Sequence, residues 1–145
     1  MRLAGYINAD NGWDHVLSEA NHLMSHGCSI IIWPEGHRSR DGKLVRFRNG
    51  AFQLACQTGY PIVPVCISGT FELFPPGKRL LTPSRVSMQI MPPIRPLTST
   101  DDSEAIHALK KKTYSVFSTE LGRHTKQSQH SDNIQGNTVV DQEEH

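Results

Sequence analysis

Two carboxylates, a histidine and two guanidiniums crowd into the run Trp33-Pro34-Glu35-Gly36-His37-Arg38-Ser39-Arg40-Asp41-Gly42. Lys43, Arg46 and Arg48 extend the cationic series, with only Glu35 and Asp41 as acids between Pro34 and Gly50. Arg38 can fork two N–H groups onto the oxygens of one phosphate. Gly36 and Gly42 let the backbone take conformations closed to other residues and approach a ligand closely. The chemistry of such a loop is anion binding, and a phosphate ester is the ligand it suits. The plainer explanation is a solvated loop, in which Glu35 caps the turn or pairs with Arg38 and His37 simply faces water.

The elements around this loop must position it. Ser29-Ile30-Ile31-Ile32-Trp33 is a β-branched apolar run bounded by Gly27 and Pro34, the pattern of a buried strand. Leu3 to Ile7 reads as a shorter strand. Trp13, Val16, Leu17, Ala20, Leu23 and Met24 fall at helical spacing, with Asp10 or Asn11 available as cap and Gly27 as stop. Asn49 can cap a helix carrying Ala51, Phe52, Leu54 and Ala55, closed by Gly59. Ile62 to Ile67 and Val86 to Ile90 read as strands, separated by a Pro- and Gly-rich loop from Phe71 to Pro83. A last helix, capped by Asp102 or Ser103, carries Ile106, Leu109, Tyr114, Val116, Phe117 and Leu121.

Alternating strands and helices call for crossover connections, so the expected fold is α/β, a mainly parallel sheet flanked by helices. In such sheets ligands sit beyond the carboxyl ends of strands, and the basic loop follows the end of the strand at Trp33. From Gly122 to His145 only Ile134, Val139 and Val140 are apolar. A disordered polar tail is therefore expected over 122–145, after a partial domain over 1–121.

Composition narrows the classes. Of 145 residues 37% are hydrophobic, and the formal net charge is +1, which argues against a nucleic-acid surface with its strongly basic face. Cys28, Cys56 and Cys66 are odd in number and match no zinc spacing. Cys28 and Cys66, beside or within apolar runs, read as reduced core thiols. His22 and His26 lie one helical turn apart but lack a third ligand, and no metal is expected. No leader peptide is expected, and the sequence holds no run of about 18 apolar residues. Membrane contact is expected to be peripheral, or to belong to a missing N-terminal part.

The block from Trp33 to Gly42, followed by Phe47-Arg48-Asn49-Gly50-Ala51 and then Pro61-Ile62-Val63-Pro64-Val65, resembles the glycerol-phosphate acyltransferase superfamily, and within it most of all the lysophosphatidic acid (1-acyl-sn-glycerol-3-phosphate) acyltransferases. Three blocks in order and at the right spacing carry the likeness, which runs from about Gly5 to about Pro96. It implies phospholipid biosynthesis: an acyl thioester, on acyl-CoA or acyl carrier protein, is transferred to a lysophospholipid hydroxyl without metal or cofactor, on the cytoplasmic side of a membrane. It assigns Glu35, Gly36, His37, Arg38, Ser39 and Arg48 to the acceptor's phosphate site. Arg38 is the main phosphate partner, Arg48 assists, and Pro64 shapes the site.

Two positions depart from the family's pattern. His37 stands where Thr is usual, and Asn11 where Arg is usual. The family also carries a catalytic His and Asp separated by four residues, the His as general base and the Asp holding its tautomer. No His in this chain has Asp at that spacing: Asp41 is one residue too near His37, and Gly27 holds the position relative to His22. No catalytic residue is therefore assigned. The chain reads as one that starts after its own base, truncated and inactive alone. The alternatives are a non-catalytic phosphate or lipid-headgroup module, and a variant enzyme with His37 as base.

Overall fold

The computed structural model describes residues 5–97 and 102–135, with side chains described as far as Arg123. They fall into two compact units. One comprises, of the described residues, 5–38, 45–62, 95–97 and 102–110; the other comprises 39–44, 63–94 and 111–135.

In the first unit a 3-10 turn, Ala9–Asn11, is capped by Asn8, whose Oδ1 accepts from the Asp10 N–H at 3.0 Å. Helix α1, Trp13–Ser25, follows with Gly12 at its N-terminus. The expected stop at Gly27 is real. With Gly27 at φ 78°, the Gly27 and Cys28 N–H groups donate to the carbonyls of Met24 and Leu23, which satisfies the helix's last acceptors. Helix α2, Gly50–Thr58, ends the same way at Gly59, φ 74°, whose N–H donates to Ala55. At its start Asn49 makes no capping bond; its Oδ1 instead accepts from Lys110 Nζ at 2.8 Å. Trp13 Nε1 donates to Gln57 Oε1 at 2.8 Å and ties α1 to α2. Ala20, Phe47, Phe52, Leu54, Ala55, Ala105 and Leu109 are buried.

Ser29–Trp33 is not a strand in the described structure. Strands exist only where neighbours accept and donate across them, and none does so here; Ile31 and Trp33 are 76% and 72% exposed. Of the expected first strand, Leu3 and Ala4 lie outside the described residues, and Gly5 to Ile7 form no regular element.

The second unit holds the sheet. Strand β1, Val65–Ser68, pairs with β2, Ser87–Ile90, and the pair is antiparallel, Val65 opposite Ile90 and Ser68 opposite Ser87. Met91 N–H to Pro64 carbonyl at 2.9 Å extends the pairing. The α/β class thus stands as helices with a small sheet, but the pairing seen is antiparallel, not the parallel kind expected. Both strands arise close to their predicted positions. The connection between them includes a short helix α3, Thr70–Leu73, within the expected loop. Paired residues share a face, so Val65, Ile67, Met88 and Ile90 make one apolar sheet face, and all four are exposed. Cys66, on the other face, is buried.

Helix α4, Asp102–Gln135, begins in the first unit and continues in the second. It passes Gly122, where the polar tail was expected, and an Arg123–Glu120 ion pair at 3.0 Å supports that turn. The rest of the expected tail, 136–145, lies outside the described residues.

Gly69 starts the turn into α3 at φ 84°, and a Cβ there would collide with the Arg85 carbonyl oxygen of the backbone. Gly69→Ala should lower stability by at least the roughly 1–3 kcal/mol of a forced left-handed residue. Phe52→Ala, emptying a fully buried site, should cost about 3–5 kcal/mol. Denaturant unfolding measures both; parental stability in Gly69→Ala would show that the turn can open away from Arg85.

Candidate functional site

The basic loop is closed in the first unit by two backbone N–H groups. Arg48 N–H donates to the Pro34 carbonyl at 2.7 Å, and Val45 N–H donates to Glu35 Oε2 at 3.0 Å. Gly36 N–H turns back onto the Trp33 carbonyl at 3.1 Å, with Gly36 at φ 72°. The Arg48 side chain lies directly over this glycine. A Cβ on Gly36 would sit 2.7 Å from Arg48 Nε and 3.1 Å from Cζ. Only glycine meets both the left-handed backbone and the close approach. The Pro-Glu-Gly turn is in effect a seat for the Arg48 guanidinium.

Phe47 anchors the far side of that seat. It is 2% exposed and stacks on Phe52 of α2, ring centroids 6.1 Å apart. Arg46 and Arg48, on either side of it, are exposed. Burial of the middle residue therefore holds its cationic neighbours at the surface.

The six predicted site residues take different parts. Glu35 is half-buried and uses a carboxylate oxygen on the backbone of Val45, so its observed work is to frame the loop. Gly36 and Arg48 are in contact. His37 and Arg38 are exposed in the same compact unit. Ser39 belongs to the other unit, where its Oγ donates to Asp41 Oδ1 at 3.0 Å. Asp41 also accepts from the Lys43 N–H at 3.2 Å and faces Lys43 Nζ at 3.8 Å. The Lys43 N–H, then the Ser39 hydroxyl, hold its carboxyl below the usual aspartate range. Asp41 is thus engaged with Ser39 and Lys43.

Residue type gave no sign of the bond from Val45 to Glu35, because the donor is a backbone amide ten positions away. Phe47 was legible only as part of a motif, not as its anchor. In the second unit a cavity of about 320 Å³ is lined by Gln89, Met91, Val116, Thr119, Glu120 and Arg123 among others; no motif residue borders it. Cys66 is buried as expected, and burial, then the charge of Glu120, raises its thiol pKa. Cys28, expected in the core, is exposed, because the run it precedes is not packed as a strand. His26 Nδ1 lies 2.7 Å from the His22 carbonyl, which serves the helix end. Among the described residues no group of three or more His, Cys, Asp or Glu could hold a metal.

Loop, turn and order of blocks agree with known proteins. Residues 1–68 match the Acyltransferase family. The chain is 43% identical over 61 residues to the chloroplastic 1-acyl-sn-glycerol-3-phosphate acyltransferase BAT2 of Brassica napus, a stretch of 42% of this chain and 18% of that protein. It is 34% identical over 80 residues to the alpha 1-acyl-sn-glycerol-3-phosphate acyltransferase of Bos taurus, 54% of this chain and 28% of the other. In structure it resembles the 1-acyl-sn-glycerophosphate (LPA) acyltransferase PlsC of Thermotoga maritima, with TM-score 0.64 and 33% identity over 75% of this chain and 44% of that one. These likenesses support the assignment of the chain to the lysophosphatidic acid acyltransferase superfamily. Its matches span only 18% to 28% of the length of these two curated relatives.

Glu35→Ala should cost about 1–3 kcal/mol, because a part-buried amide loses a charged acceptor, and Glu35→Gln, which keeps an acceptor oxygen, should cost less. Denaturant unfolding separates the two; parental stability in Glu35→Ala would mean the carboxylate is not the acceptor that matters. For Asp41, a folded-state pKa below the unfolded one means its contribution is present above the ordinary aspartate pKa and lost as pH falls through the depressed value. NMR titration should find the Asp41 midpoint below that of an unstructured aspartate, and Ser39→Ala should move it upward.

Proposed function

We propose that this chain carries the acceptor-positioning part of an acyltransferase that moves a fatty acyl group from a thioester to the free hydroxyl of a lysophosphatidic acid-type acceptor. The observation that carries the reading is the Arg48 guanidinium resting on the Gly36 turn, which joins two of the three motif blocks into one cationic element with Arg38 nearby in sequence. A phosphate at such an element fixes the acceptor, and an oriented acceptor reacts far faster than a free one. Arg38 takes the phosphate in a forked contact, Arg48 adds a second cation, and Glu35 and Gly36 hold the loop that presents them. His37 completes the phosphate site as a further donor.

In the reaction a base takes the acceptor's hydroxyl proton, the oxygen attacks the thioester carbonyl, and the thiolate leaves as the ester forms. The chain has no His and Asp at the family's spacing, so the proton-removing group in this reading comes from outside these residues. The donor is acyl-CoA or acyl carrier protein, no cofactor takes part, and the membrane contact is peripheral. A lipid-headgroup module without turnover is the second reading, favoured by that same missing pair. His37 as base has less support, since Asp41 is engaged with Ser39 and Lys43.

Titration of the chain with lysophosphatidic acid below its micelle-forming concentration should show binding that Arg38→Ala weakens by about tenfold or more, the scale of a lost charge-assisted contact; Arg48→Ala should weaken it less. Turnover with acyl-CoA should be lower than in a complete enzyme by the hundred- to ten-thousand-fold typical of a missing general base. Binding indifferent to both arginines would overturn the phosphate assignment. Full turnover abolished by His37→Ala would instead make His37 the base.

A further inference from the structure

The connection between β1 and β2 ends in an apolar tip that the loop chemistry above does not use. Pro75, Pro76 and Gly77 turn the chain, and Lys78-Arg79-Leu80-Leu81 follows. Leu80 is 81% exposed and Leu81 68%, more than most large apolar side chains of this protein. Nor is the tip a loose strand of chain. The Thr82 N–H donates to the Leu73 carbonyl at 2.8 Å and closes the loop at its neck, while Lys78 N–H turns back onto Pro75 at 3.3 Å. Below the neck, Ser84 Oγ donates to the Gly69 carbonyl at 3.1 Å. Gly77, at φ 83°, has open space around it. The fold holds two adjacent leucines out in water on a closed loop.

Charge decides what such a tip suits. Lys78 and Arg79 are both exposed, and no carboxylate among the described residues pairs with either. Between Thr70 and Val86, Lys78, Arg79 and Arg85 stand against Glu72 alone. Two leucines are too small an apolar area for a stable protein interface, and the tip has no Trp or Tyr to act as an anchor. A bilayer makes no such demand: a few apolar side chains enter the acyl boundary while basic neighbours stay with anionic headgroups.

We propose that the Lys78–Leu81 tip is a membrane-docking point, with Leu80 and Leu81 entering the leaflet and Lys78 and Arg79 lying among anionic lipid headgroups. This deepens the peripheral contact of the proposed function, from which it takes only the presence of a membrane. The two leucines should each contribute about tenfold or more to partitioning, and each cation about fivefold on an anionic surface.

The test is sedimentation of the full chain with vesicles of phosphatidylcholine, with and without phosphatidylserine. Leu80→Ser combined with Leu81→Ser should reduce binding by about a hundredfold, and Lys78→Gln combined with Arg79→Gln should remove most of the gain from phosphatidylserine. Leu80→Trp supplies a readout that does not depend on losing anything. In vesicles with brominated acyl chains its emission should be quenched beyond that of the parent's Trp13 and Trp33. Vesicle binding that the double serine variant retains in full would overturn the tip and leave peripheral contact standing; no binding by the parent would overturn both. Leucine-dependent self-association without vesicle binding would also overturn it, in favour of a second copy. None of these assays contains lysophosphatidic acid or an acyl thioester, so a failure here is distinct from a failure of acceptor binding.

Discussion

Arg46 and Arg48 stand two residues apart and repel one another, and their usefulness depends on a backbone that holds both at the surface. The Glu35 carboxylate and the Pro34 carbonyl provide that backbone by accepting the N–H groups of Val45 and Arg48. Because the acceptors lie in adjacent residues and the donors three apart, the loop is pinned at two points and cannot simply hinge. Gly36 follows as a necessity. Its left-handed φ makes the turn, and its missing Cβ leaves the volume that the Arg48 side chain fills.

That arrangement separates two kinds of charged residue within one motif. Glu35 does its work inward, on an amide of its own chain, where a carboxylate accepts strongly and offsets local positive charge. The arginines work outward. Phe47 is the mechanical link between the two, since its burial against Phe52 fixes the side of the chain from which Arg46 and Arg48 project. Loss of packing at Phe52 would therefore reach the cationic loop through one aromatic contact.

Local signals identified the helices and strands that form locally. Gly27 and Gly59 end α1 and α2 because their missing side chains permit the left-handed cap, and this is visible in residue type alone. The predicted runs Ile62 to Ile67 and Val86 to Ile90 became β1 and β2 where each had the other to bond. The more strongly β-branched Ile30-Ile31-Ile32 did not, since a strand is a relation between two segments and that run has no partner among the described residues. Cys28 went with it to the surface. Asn49 shows the same limit on a smaller scale: a good cap by residue type, it gives its side chain to Lys110, far along the chain.

By itself, then, the order of residues determined the likeness to the acyltransferases, the helix stops and the identity of the cationic loop, because each of these depends on residue types a few positions apart. Tertiary structure alone decided that Glu35 braces the loop, that Arg48 rests on Gly36, that β1 and β2 run antiparallel and that an apolar sheet face and the Leu80–Leu81 tip stand in water. The physical reason is common to all of these. Each is settled by which backbone amides and apolar surfaces find a partner in space, and a partner that is itself a main-chain group leaves no mark in the pattern of side chains.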